Sequence, residues 1–157
     1  MTTRLRRCHV LDSILSGYQK VQQWLSAALF PPRSLGQRGE DAATRLLRRK
    51  GYKIIHRGYH DQHGEIDIIA VHKRVVVFVE VKTRKRDYGD SPATAVTLEK
   101  QKRITRTALA FQKRNRLLQA KSRYDIVAIV WPDGQRKPTI KHYVDAFESY
   151  GTGQMHS

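Results

Sequence analysis

Two acidic residues interrupt runs of apolar, strand-forming residues in this sequence, and a lysine stands two positions after one of them. In Val77-Phe-Val-Glu-Val-Lys82 an extended chain alternates its side chains, so Phe78, Glu80 and Lys82 share one face and the three valines the other. Burying such a charged pair costs several kcal/mol unless something compensates, which marks the position as a site. The preceding run, Gly64-Glu-Ile-Asp-Ile-Ile-Ala70, repeats the anomaly at Asp67. If the two runs form an antiparallel hairpin with an even-numbered loop, Asp67 and Glu80 fall on one face, opposite or diagonal, roughly 5 to 8 Å apart. Carboxylates that close repel unless a cation lies between them. Hard oxygen donors select Mg²⁺ or Mn²⁺, held by one or two carboxylates, waters and a substrate phosphate. The chemistry implied is phosphodiester hydrolysis, in which Lys82 orients water or stabilises charge in the transition state.

The plainer alternative is a buried ion pair of Glu80 with Lys82 or an arginine, which accounts for one acid but not for the second on the neighbouring strand. Glu40 is a further candidate. On an ideal helix it lies about 20° from Leu47 and about 60° from Ala43, at the edge of the buried stripe. Its position alone leaves an even choice between a third ligand and an ordinary first-turn glutamate favoured by the helix dipole. Glu65, next to Gly64, reads as exposed. His56, His60, His63 and His72 lack metal-binding spacing and read as surface residues.

The elements that must position these residues can be read from periodicity. An amphipathic helix with apolar positions from Val10 to Leu29 ends at Pro31-Pro32, and Arg33 to Gly39 reads as a linker. A helix follows over Glu40 to Lys50, with Ala42, Ala43, Leu46 and Leu47 as its stripe and Gly51 as its cap. Strands are expected at Tyr52–Arg57, Glu65–Val71 and Arg74–Thr83. Ser91-Pro92 precedes a long helix over Thr94–Leu118, with Thr97, Lys100, Gln101, Ile104, Ala108 and Phe111 on one face. Strands at Tyr124–Trp131 and Thr139–Val144, joined through Pro132-Asp-Gly134, complete the order α-β-β-β-α-β-β. Residues 1–35 thus form an N-terminal helix and linker, 36–148 one α/β domain with a mixed central sheet, and 149–157 a frayed tail.

The surroundings are strongly basic. Thirty Lys and Arg against 14 Asp and Glu give a formal charge of +16 on 157 residues, so nucleic acid is the leading partner. An anionic membrane surface is the rival polyanion, but no stretch is apolar enough to span a bilayer. A hydrophobic fraction of 39% argues against wholesale disorder. The single cysteine, Cys8, excludes an internal disulfide and a cysteine-based zinc site, and with no signal-peptide core it points to the cytoplasm. Basic clusters at Arg45–Lys53, Lys82–Arg86 and Lys100–Arg116, interspersed with Tyr52, Tyr59 and Tyr88, are expected to meet phosphate. The expected contacts are Arg84, Lys100, Gln101 and Arg103, and Lys100 or Gln101 should approach the acids.

Gly39-Glu40, Gly64-Glu-Ile-Asp-Ile-Ile-Ala70, Phe78-Val-Glu-Val-Lys-Thr-Arg84, Val96–Arg103 and Arg123-Tyr-Asp125 together resemble the YraN family. That family is similar to archaeal Holliday-junction resolvases of the PD-(D/E)xK nuclease superfamily. The resemblance covers about residues 36–148 and implies a restriction-endonuclease-like fold. It places Asp67, Glu80 and Lys82 at catalytic positions and Glu40 at that of an extra helical acid. Arg57-Gly-Tyr-His60 departs from the family pattern, lacking the Asn and Arg often found there. The expected function is a metal-dependent endonuclease on DNA, and the resemblance to resolvases, which commonly act as symmetric dimers, implies a homodimer. The alternative is a non-catalytic nucleic-acid-binding module.

Overall fold

The structure, a computed structural model, describes Ser16 and residues 19–22, 33–86 and 96–150. The chain divides into two compact units, Met1–Ser34 and Leu35–Ser157. Most of the expected N-terminal helix lies outside the described residues, as do Ser91-Pro92, Tyr88 and the last seven residues of the tail. Ser16 and residues 19–22 are helical.

Among its described residues the second unit contains α1 (Leu35–Arg49), β1 (Lys53–Asp61), β2 (Gly64–His72), β3 (Val75–Arg84), α2 (Leu98–Arg114), β4 (Ser122–Val130) and β5 (Thr139–Phe147). The strands form one sheet in sequence order. Only β3 and β4 are parallel, and α2 lies between them in sequence as their crossover; the other neighbours are antiparallel. Helix α1 packs on one face through Ala42, Ala43 and Leu47, against Ile68, Ala70, Val77, Val79, Val127 and Ile129. Helix α2 covers the other through Ile104, Ala108 and Phe111, against Ile66, Ile69, Phe78, Tyr124 and Ile126. Apolar side chains on both faces explain why β2, β3 and β4 read as nearly continuous hydrophobic runs. This is a mixed α/β sandwich of restriction-endonuclease-like architecture.

Helix α1 begins at Leu35, so the segment expected to be a linker supplies the helix's first turns. Gly36 and Gly39 make that stretch look like loop, because glycine is a poor helix former. Tertiary contact decides otherwise. A Cβ on buried Gly39 would lie 1.8 Å from Thr83 Oγ1, so only glycine lets α1 approach the end of β3 this closely.

The β2–β3 turn sets the register of the acidic strands. Lys73 and Arg74 both have positive φ, 48° and 67°, as a two-residue type I′ loop requires. Val71 then pairs with Val76 and Ile68 with Val79. One step further, Asp67 stands opposite Glu80, just beyond the last paired residues.

Candidate functional site

Strict alternation does not hold at Asp67. Ile66 and Ile69 both join the core beneath α2, whereas Ile68 and Ala70 join the one beneath α1. The β1 ladder also omits the pair of Asp67 with Gly58, whose φ is +57°. Both strands therefore reset their facing at this level. The Asp67 carboxylate reaches across to β3, where the Val81 N–H donates to Oδ2 at 2.6 Å. It takes the place of a main-chain acceptor in the ladder.

Glu80 follows the expected alternation and points with Phe78 toward α2. Its side chain is 8% exposed, and Lys100 Nζ of α2 lies 3.2 Å from Oε1. Oε2 is buried with no hydrogen-bond partner. Burial first, and then the Asp67 charge, push the Glu80 carboxyl up to about 7, against the opposing pull of Lys100 and Lys82. Burial likewise raises Asp67, with the Val81 hydrogen bond and Lys100 working the other way. Glu40, in the early turns of α1, is raised by burial and by Asp67. Burial is the first cause in all three, and the Asp67 charge adds to it at both Glu80 and Glu40, so the nearby positive charge does not restore the ordinary values.

Among the described residues no three His, Cys, Asp or Glu side chains are grouped so as to enclose a metal ion. A hard divalent cation does not need three, since one or two carboxylates with waters and a phosphate suffice. The orphaned Glu80 oxygen beside Asp67 is a donor set of that kind.

The other expected residues divide into those near this pair and those elsewhere. Lys82 is exposed, and its charge acts on both acids. Lys100 approaches, whereas Gln101 turns back to donate to the Val96 carbonyl at 3.0 Å. Arg103 lies over the start of β2, beside Gly64. Arg84 is half-buried at the end of β3, where its carbonyl accepts from the Trp131 N–H at 2.8 Å. Tyr52 and Tyr59, which lie among the basic clusters expected to meet phosphate, are only 5% and 8% exposed. Tyr52 stacks on His72, at 4.1 Å between ring centroids. His72 is therefore half-buried, unlike the exposed His56, His60 and His63.

A second polar cluster lies beneath the α1 face and was legible only as part of a family motif. Asp125 of β4 is fully buried. It accepts from Arg123 Nε at 2.9 Å and from the Asp145 N–H at 3.0 Å, and His142 Nε2 lies 2.9 Å away. Arg123 also donates to the Tyr52 hydroxyl at 2.7 Å. Lys50 Nζ is 3.2 Å from His142 Nδ1, which leaves Nε2 as the nitrogen that donates to Asp125. Burial alone would raise the Asp125 carboxyl, but the bonds from His142, Arg123 and Asp145 hold it below its ordinary value.

The family described as Uncharacterised protein family UPF0102 matches residues 39–129, which carry all three acids. A UPF0102 protein of Rhodopirellula baltica is 46% identical over 125 residues, covering 78% of this chain and 75% of its own. One from Pelobacter propionicus is 45% identical over 119 residues, 74% and 84% of the two chains. One from Prosthecochloris aestuarii is 45% identical over 120 residues, 74% and 94%. With more than half its length matched by the family and relatives of this identity along most of both chains, the chain belongs to UPF0102.

Proposed function

We propose that this protein is a metal-dependent endonuclease that hydrolyses phosphodiester bonds of DNA, branched or damaged DNA in repair or recombination being the favoured substrate. The observation that carries the reading is Glu80: a buried carboxylate with one oxygen unpartnered, facing a second acid, in a chain of charge +16. A buried acid left in that state is costly for a fold and useful for a cation. Asp67 and Glu80 would hold Mg²⁺ or Mn²⁺, and Glu40, which stands outside any ready-made group of three among the described residues, would join as a third carboxylate only by moving closer. The cation supplies Lewis-acid chemistry at the phosphodiester. Lys82, exposed beside the acids, would orient the attacking water and stabilise charge as water adds to phosphorus and a bridging P–O bond breaks. Lys100, Arg84 and Arg103 supply positive charge for the nucleic-acid backbone, with Gln101 as a supporting polar residue. A homodimer acting in the cytoplasm completes the proposal. For membranes, among the described residues no helix is long and apolar enough to cross one.

The second reading is a non-catalytic nucleic-acid-binding module of the same fold. The observation favouring it is that Lys100 already neutralises part of Glu80. Cleavage of single-stranded, flap and four-way DNA substrates with Mg²⁺ or Mn²⁺ separates the two. The nuclease reading expects cutting that Glu80→Ala reduces by about 10²-fold or more. Equal cutting by Glu80→Ala, or binding to every substrate with no cutting, contradicts it.

A further inference from the structure

Lys100 occupies a place that helix stability does not explain. Thr97 caps α2, accepting the Lys100 N–H at 3.3 Å, so Lys100 lies in the first helical turn. A cation there opposes the helix dipole, whereas Glu99 in the same turn suits it. The long stem instead carries the ammonium to Glu80 Oε1, leaving Oε2 without a partner. The two partners differ in freedom. The Glu80 side chain, 8% exposed on a central strand, is held in place, while Lys100, 31% exposed on a flexible stem, can swing outward. Its charge also acts on Asp67, so one ammonium serves both acids that a divalent cation would bridge.

We propose that Lys100 is a tethered stand-in for the divalent cation, holding Glu80 while no ion is bound, leaving it when one enters, and then taking a phosphate oxygen of the nucleic acid. This rests on the cation site proposed above and adds an exchange that makes ion binding and backbone binding support each other. No bond is made or broken in the exchange. A positive charge moves from a carboxylate that a stronger cation has taken to the phosphate brought in beside it.

The test is Mn²⁺ affinity measured by calorimetry on the full chain without nucleic acid, at a pH well above the range in which Glu80 titrates. Lys100→Met is expected to bind Mn²⁺ about fivefold more tightly or better, because its competitor is gone. Lys100→Arg, which keeps a cation against Glu80, and Lys141→Met, which removes an equal charge from exposed β5, are expected to stay near the native affinity. Weaker or unchanged binding in Lys100→Met overturns the exchange, provided the native chain binds Mn²⁺ and Glu80→Gln does not. If the native chain binds no Mn²⁺, or Glu80→Gln binds it equally well, the cation site is wrong and the exchange falls with it. The handover is read separately, as the gain in affinity for a short DNA duplex when Ca²⁺ replaces EDTA. That gain should be larger in the native chain than in Lys100→Met, and equal gains overturn the handover. Far-ultraviolet circular dichroism of each variant checks that it is folded.

Discussion

Glu80 and Asp125 sit on adjacent strands, both nearly closed off from water, and their surroundings meet the cost of burial in opposite ways. Asp125 receives a guanidinium, an imidazole and a main-chain N–H, and its carboxyl is held low. Glu80 receives one ammonium on one oxygen, faces another acid, and is pushed up to about 7. Each cluster also mends a ladder irregularity. Asp67 accepts the Val81 N–H where β2 resets, and Asp125 accepts that of Asp145, whose φ is +54° where β5 is irregular. The same device therefore serves two ends. A buried acid with all its bonds made holds strands together, and one left short of positive charge is fitted to receive it from outside.

The contrast can be broken by mutation, and the largest effect is expected at Asp125. Asp125→Ala leaves Arg123 and His142 without their acceptor and should cost about 3–5 kcal/mol in urea denaturation. A loss below about 1 kcal/mol would show that the cluster is not structural. Glu80→Gln should do the reverse, stabilising the fold above neutral pH by up to about 3 kcal/mol, a figure from which the Lys100 contact is already netted out.

The pH dependence sharpens the same contrast. The folded-state pKa of Glu80 is raised, so between about 4.5 and about 7 the folded chain binds the extra proton and its stability falls as pH rises. Glu80→Gln should show a shallower decline when unfolding is followed across the interval, the remainder coming from Asp67 and Glu40, which are raised as well. Asp125 has the opposite sign. Its contribution is present above the ordinary carboxylate range and is lost as pH falls through its depressed value, so Asp125→Ala should differ least from the native chain in strong acid.

Two smaller effects test how the acidic region is positioned. Gly39→Ala places a methyl group against Thr83 and should cost about 1–3 kcal/mol, with Thr83→Ala relieving only part, since Thr83 Cβ is itself 2.9 Å from that position. Full tolerance of Gly39→Ala in thermal unfolding would mean that α1 does not dock on β3 as described. Arg74→Gly, which relieves a positive φ in the hairpin turn, should gain about 1 kcal/mol in the same measurement. A loss would argue against the I′ turn that sets the register.

Much of this arrangement was legible from periodicity. The element order, the two helix faces and an even-numbered loop between the acidic strands follow from patterns of period 2 and 3.6. A turn at His72-Lys73, as the strand limits suggested, would leave Asp67 diagonal to Glu80, and the turn at Lys73-Arg74 sets them opposite. What escaped depends on contacts between distant segments. Gly36 and Gly39 masked the start of α1, because the gain from packing on Thr83 appears only in the fold. Strict alternation assigned Asp67 a face, and nothing in its own run shows that Gly58 on the partner strand lets both strands reset. Asp125 looked like one acid in an apolar strand, because its partners His142 and Asp145 come from β5, and Lys50, which bonds His142, lies just after α1. Lys100 was expected near the acids, yet only the packed helix shows it against Glu80.

The most direct measurement of the central claim is the thermal unfolding midpoint of the chain as Mn²⁺ is titrated, compared with that of Glu80→Gln. Ligand that binds only the folded state raises the midpoint with concentration. The account predicts such a rise in the native chain and none in Glu80→Gln. An unmoved native midpoint, or equal rises in both proteins, would contradict it.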